Sequence, residues 1–267
     1  MSVVKIIKDI EYARYGERAL QLDLYLPEAP DSKKPLPLVV WFVGGGWMLC
    51  DRKVAPLFLT HYDMAVASVS YRVSSVAKAP ASICDSKAAI RFLRANAATY
   101  GIDPERIGAF GQSSGGHLAL LLGLTPHIPE FEGDGGIPGV SSAVLSVCDF
   151  CAPTDLLRMA DPELRGRYSL LSDLTDKYLG GPVGEKAELA RAISPIHYAA
   201  ANAPPTLIVH GGSDSVVPLS ESERMYAALK AAGANVEFDV VEGGEHVWNW
   251  KLTNSRARKF FTRTLRA

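Results

Sequence analysis

The run Leu38-Val39-Val40-Trp41-Phe42-Val43 constrains the fold of this chain more than any other stretch. Successive side chains of a strand point to opposite faces, so a strand that is apolar at every position must be covered on both. Sheets buried on both faces are mostly parallel, because the helices that cross over between parallel strands supply the cover. The rest of the chain reads as that alternation. Strands are expected over Ala65–Val73, Arg106–Gln112, Ser142–Cys148, Thr206–His210 and Val236–Val241. Helices are expected over Ser82–Tyr100, with the stripe Ile83, Ala89, Ile90, Leu93 and Ala97 and Gly101 as stop, and over Ser114–Leu124, Leu219–Ala232 and Asn254–Leu265. Before them, Val3 to Leu26 alternates (LQLDLYLP) and reads as two antiparallel strands turning near Tyr15-Gly16. The more polar stretch from Cys151 to Pro195 breaks the alternation and reads as a short helical cap inserted at residues 151–195. The expected class is α/β, a mostly parallel central sheet flanked by helices with a cap insertion, in one domain spanning residues 1–267. Ligands of such sheets bind beyond the carboxyl ends of the strands.

Bulk properties exclude several functions. With 28 basic against 29 acidic residues, a net charge of −1 and no basic stripe, phosphate neutralisation is absent and nucleic acid is not an expected partner. A 267-residue chain with 48% hydrophobic residues buries enough surface to need neither disulfides nor a structural metal. Cys50, Cys84, Cys148 and Cys151 fit a reducing compartment. Cys148 and Cys151 form a CxxC, but Pro153 and the strand-like run before it match neither a redox nor a zinc context, and no second pair exists. They read as buried or incidental thiols, and no metal is expected. Lys5, Lys8, Asp9 and Glu11 break any apolar run at the start, so the expectation is a cytoplasmic protein with no membrane partner.

The chemistry is carried by loops at strand ends. Gly111-Gln112-Ser113-Ser114-Gly115 is a G-x-S-x-G, weak alone but placed here between a strand and a small-residue helix. A tight strand-to-helix turn needs glycines two positions either side of the serine and lifts its hydroxyl clear of the sheet. A serine hydroxyl needs a base, and the base an orienting acid. His246, in EGGEHVW after the last strand, is the expected base. His210 and His117 read as packed structural residues, and His61, His127 and His197 have no strand-end context. Asp214, in GGSDSVVP after the strand ending at His210, is the expected acid, in the order Ser, Asp, His of this scaffold. Asp149 is the second candidate, Asp155 reads as a helix cap, and Glu242 and Glu245 as solvated. At the end of the first apolar strand, Gly44-Gly45-Gly46-Trp47 lets backbone amides approach a ligand. Gly45 and Gly46, with the Ser114 amide, are assigned to an oxyanion hole. No Walker lysine and no dinucleotide spacing favour a phosphate loop instead.

GGGW at Gly44, the stretch Gly101 to Ala119 with its SSGGHLA, HGGSDSVVPLSES from His210 and EGGEHVW from Glu242 together resemble the α/β-hydrolase esterases related to hormone-sensitive lipase, especially bacterial acetyl-xylan and feruloyl esterases. The resemblance runs from about Leu20 to the C-terminus. It implies a cofactor-free carboxylesterase with Ser113, Asp214 and His246 as catalytic triad. The family usually carries a histidine before its three glycines, thought of as a loop brace, where this chain has Val43. If the brace matters, Val43→His should raise kcat.

Trp47 and Trp248 are expected to flank the substrate and to limit it to small acyl groups, acetyl to butyryl rather than octanoyl. The expected partner is a small-molecule ester. An arylformamidase-like amide hydrolase and a non-catalytic binding protein on the same scaffold are the alternatives. A homo-oligomer built on the tryptophans and the cap is left open.

Overall fold

The apolar strand owes its composition to its place in the middle of a sheet. In the computed structural model, which describes residues 4–28, 34–126, 128–246 and 250–266 (backbone alone for 250–252), eight strands form one sheet. They are β1 (Val4–Tyr15), β2 (Arg18–Pro27), β3 (Leu36–Phe42), β4 (Ala65–Val69), β5 (Ile102–Gln112), β6 (Ser146–Phe150), β7 (Thr206–Gly211) and β8 (Val236–Val241). Their spatial order is β1-β2-β4-β3-β5-β6-β7-β8. Strands β1 and β2 pair antiparallel, as does β2 with β4, and every other pairing is parallel.

All seven residues of β3 are buried. Leu38, Val40 and Phe42 join one core, with Ala109 and Ile208 of the neighbouring strands. Val39 and Trp41 join a second core on the opposite face, with Phe110, Phe150 and Val209. Helices cover both. They are α1 (Ala81–Ala95), α2 (Ala97–Tyr100), α3 (Ser114–Leu124), α4 (Pro129–Glu132), α5 (Pro162–Arg167), α6 (Ser169–Leu179), α7 (Ala187–Ala192), α8 (Leu219–Ala231) and α9 (Trp250–Leu265). Helices α1, α3 and α8 contribute Ile90, Leu120 and Met225 to the first core, and α9 closes the second with Ala257, Phe260 and Phe261. Phe110 anchors that second face, its ring 4.6 Å from Trp41 and 4.9 Å from Phe150. No helix among the described residues is long and apolar enough to cross a membrane.

Several boundaries differ from expectation for local reasons. The strand expected to Val73 stops at Val69, because the Gln21 amide donates to the Ser70 hydroxyl rather than its carbonyl, which accepts the Tyr12 hydroxyl instead, and Arg72 turns aside to pair with Asp85. The single helix expected to Tyr100 breaks at Asn96, whose side-chain amide donates to the Phe92 carbonyl, and α2 then closes on Gly101 at φ 66°. The strand expected from Ser142 starts at Ser146, because Arg94 draws off the Ser141 and Ala143 carbonyls and the Ser142 hydroxyl donates to Glu132. Between β6 and β7 the chain runs through short 3₁₀ turns and helices α5, α6 and α7.

The sheet order fixes where a site can form. From β3 the chain moves one way to β4, then returns past β3 to β5 on its other side. The crevice beyond the carboxyl ends of β3 and β5 is therefore the topological switch point, where open α/β sheets bind ligands. The glycine loop leaves β3 there, and the serine loop leaves β5.

Candidate active site

Ser113 follows β5 directly and precedes α3, at φ 55° and ψ −126°. That conformation is strained for a residue with a side chain. It is held by the Ser113 amide, which donates to the Phe150 carbonyl at 2.7 Å, and by the Ser113 carbonyl, which accepts from the His117 amide at 3.0 Å. The flanking glycines are required by contact rather than by flexibility. A Cβ at Gly111 would fall on the Gly115 carbonyl, and one at Gly115 on the Phe42 carbonyl of β3.

His246 and Asp214 arrive from the two strands at the far edge. The Ser213 amide donates to the Gly244 carbonyl at 2.8 Å and Gly212 to Val241 at 2.9 Å, which zips the loop after β7 to the loop after β8. The Gln112 side-chain amide donates to the His246 carbonyl at 3.2 Å, so the residue before the serine also holds the histidine loop. The result is a continuous chain: His246 Nε2 lies 3.0 Å from Ser113 Oγ, and its Nδ1 lies 2.7 Å from Asp214 Oδ2. Asp214 Oδ1 accepts the Val216 and Val217 amides, each at 2.8 Å. Burial would raise the Asp214 carboxyl, but hydrogen bonds from His210 and His246 outweigh it and hold the group well below the usual carboxylate range. The carboxylate is thus ionised and fixes the imidazole proton on Nδ1, which leaves Nε2 free to accept a proton from the serine.

His210 contributes more than packing. Fully buried, it sets Nε2 3.1 Å from the Val217 carbonyl and 3.2 Å from Asp214 Oδ2, with Nδ1 2.7 Å from Ser222 Oγ. It is a second histidine on the same carboxylate oxygen. Its position at the end of β7, four residues before Asp214, is the signal the sequence offers. Asp149, the other acid considered, is buried with its carboxyl against Gly116 and the Ala152 amide, and burial keeps it well above the carboxylate range. Asp155 precedes a 3₁₀ turn but does not cap it; its carboxylate pairs with Arg224 at 2.9 Å, while its own amide and that of Thr154 donate to Glu221. Glu242 and Glu245 are exposed.

The glycine loop lies directly above the serine. A Cβ on Gly44 would stand 2.9 Å from the Gln112 carbonyl and 3.2 Å from Ser113 Cβ. Gly45 and Gly46 adopt φ 149° and 59°, and among the described residues their amides donate to no backbone acceptor. The Ser114 amide sits in the first turn of α3, where helix N–H groups lack intrahelical partners.

The expectation that Trp47 flanks the substrate is overturned. Trp47 is 1% exposed and lies under the loop. Its ring stacks on Tyr178 of α6 at 4.6 Å, and its indole N–H donates to His117 Nδ1 at 3.3 Å. Since an indole only donates and a carbonyl only accepts, His117 carries its proton on Nε2, which donates to the Ile193 carbonyl at 2.7 Å. Burial drives the His117 pKa down to about 4, so it is neutral. Ser74 binds the Trp47 carbonyl through its amide and hydroxyl at 2.8 and 2.9 Å, and the Tyr71 hydroxyl donates to the Val43 carbonyl at 3.1 Å. The loop is thus braced from beneath, with Val43 packed against the α9-side core. The side chain that does crowd the loop is Leu174 of α6, which a Cβ on Gly46 would strike. Trp248 and His127 lie outside the described residues.

Sheet order, strained serine turn and the Ser-His-Asp hydrogen-bond chain define an α/β-hydrolase. The chain belongs to the BD-FAE family, which it matches over residues 22–229. It is 30% identical to Esterase LipC of Mycobacterium tuberculosis over 86% of this chain and 60% of that protein. It is similar in structure to a bifunctional GH43-CE protein of Bacteroides eggerthii, with a TM-score of 0.85 and 34% identity, covering 97% of this chain and 38% of that one. It is likewise similar to Est2, a thermophilic esterase of Thermogutta terrifontis solved with propionate bound, with a TM-score of 0.77 and 27% identity over 98% and 94% of the two chains. The chain spans 51–60% of the length of LipC and two further curated relatives.

Proposed function

We propose that this chain is a serine carboxylic-ester hydrolase, acetyl-esterase-like, acting on small-molecule esters with short acyl groups. The observation that carries the reading is the chain Asp214–His246–Ser113, at 2.7 and 3.0 Å, with the glycine loop packed against the serine at Gly44. His246 Nε2 takes the Ser113 proton as Oγ attacks the ester carbonyl. The amides of Gly45, Gly46 and Ser114 receive the oxyanion, the kind of contact worth about 2.7–4 kcal/mol per donor. His246 then returns its proton to the departing alcohol. Water, deprotonated by the same nitrogen, hydrolyses the acyl-enzyme, and Asp214 stabilises the imidazolium in both halves.

The short-acyl part rests on Leu174, whose side chain covers Gly46, and on the likeness to Est2, which was solved with propionate. Four free thiols support a reducing compartment, the cytoplasm.

The test is hydrolysis of p-nitrophenyl acetate and octanoate by wild type and Ser113→Ala. Acetate should exceed octanoate in kcat/KM by at least about tenfold, and the variant should lose at least about 10⁴ in kcat. A variant that keeps its rate would remove Ser113 as nucleophile. Equal kcat/KM across the acyl series would end the short-acyl reading.

A further inference from the structure

Cys151 touches the triad, yet no step of the hydrolysis uses it. It follows β6 at φ 50°, a left-handed conformation, and its amide donates to the Val209 carbonyl at 2.8 Å. Its buried thiol donates to the His246 carbonyl at 3.7 Å. One ligand atom from each of Cys151, Asp214 and His246 can be chosen so that all three lie within 4.8 Å of one another. Cys148, the other half of the CxxC, belongs to the core on the α9 side and takes no part. The cluster is therefore a mixed sulfur, nitrogen and oxygen set drawn from three separate loops.

We propose that Cys151, Asp214 and His246 form a binding site for a soft divalent cation of the zinc and cadmium class, and that its occupation switches hydrolysis off. Zinc bonds of about 2.0–2.3 Å in a tetrahedron place ligand atoms roughly 3.3–3.6 Å apart. The three atoms lie within 4.8 Å of one another, so no pair needs to close by more than about 1.2–1.5 Å, and Nδ1 and Oδ2, 2.7 Å apart, open by about 0.6 Å to admit the cation. Thiolate and imidazole select zinc or cadmium over magnesium or calcium. The ring nitrogen on the Asp214 side is Nδ1, at 2.7 Å. On binding, the thiol releases its proton to solvent and sulfur bonds the cation. Nδ1 bonds it through its lone pair, and the imidazole proton moves to Nε2. No electrons are exchanged. Nε2 then presents N–H to Ser113 and has no lone pair left to accept the hydroxyl proton.

Inhibition rests on the proposed hydrolase activity, whereas cation binding does not, and the experiment separates them. Cadmium chloride is titrated into the full chain, reading the thiolate-to-cadmium absorption in the ultraviolet and p-nitrophenyl acetate hydrolysis in parallel. The expected result is one cadmium per chain, a loss of hydrolysis with the same midpoint, recovery on adding EDTA, and no effect of magnesium or calcium at equal concentration. Ser113→Ala should show the same absorption. Cys151→Ser and Cys151→Ala should lack the band and, each measured against its own metal-free rate, need at least about tenfold more cadmium for half inhibition. A missing band in both wild type and Ser113→Ala, a band that survives in the Cys151 variants, or inhibition by magnesium at the same midpoint overturns the proposal. A normal band in a protein that hydrolyses no ester would instead retire the hydrolase reading and keep the site.

Discussion

Protonation of His117 should destabilise the fold, and its size follows from the contacts. The neutral ring accepts from Trp47 on Nδ1 and donates to Ile193 from Nε2. Adding a proton to Nδ1 turns that acceptor into a donor facing another donor, in a site with no exposure. The folded pKa is about 4 against 6.5 for the free residue. Between these values the unfolded chain binds the proton and the folded chain does not. Stability from this group is therefore fully present above pH 6.5, falls as the pH drops, and levels off below 4. At 1.36 kcal/mol per pKa unit, the loss between pH 7 and pH 4 is about 3 kcal/mol. The comparison is urea unfolding of wild type and His117→Gln at several pH values across that range, since glutamine keeps one acceptor and one donor but does not titrate. Other groups titrate alike in both proteins and cancel in the difference. Wild type should lose about 3 kcal/mol more than the variant on going from pH 7 to pH 4. Parallel stability curves for the two proteins would refute the neutral, bridging histidine.

Three other outcomes follow from the site. Gly115→Ala places a methyl group on the Phe42 carbonyl, and should lower Tm by about 8–16 °C for a loss near 4 kcal/mol; a calorimetric scan matching wild type would show that the turn has slack. His210→Leu removes a hydrogen bond that helps hold Asp214 below the carboxylate range, and kcat should fall about tenfold; an unchanged kcat would make His210 a packing residue only. Val43→His should leave kcat unchanged, because Trp47, Ser74 and Tyr71 already hold the loop; a raised kcat would mean that those contacts do not substitute for the family histidine.

What could be read from the sequence was local. The strained serine turn, the three glycines after β3 and the loops carrying Asp214 and His246 are each written in a few consecutive residues, and strand polarity then forces them to one edge. Trp47 was misread because adjacency to the glycine loop says nothing of which way the ring turns. Its direction is decided by Tyr178 and His117, residues that only the fold brings near. His117 shows the same limit from the other side, since its acceptor Ile193 lies in the helical stretch between β6 and β7. Strand ends at Val69 and Ser146 were displaced by Asp85 and Arg94, side chains from α1 that no periodicity in the strands themselves reveals.

The order of strands also sets how the site comes apart. Ser113 and the glycine loop hang from β5 and β3, interior strands whose loss is the loss of the whole sheet. His246 hangs from β8, an edge strand paired on one side only and half-exposed along its length. Openings of least cost begin at such edges. Fraying of β8 would withdraw the base while the nucleophile and its amides stay in register, leaving a folded protein with an inert serine. Heat should therefore extinguish turnover at a lower temperature than it melts the core, and cooling should restore it as the edge re-zips.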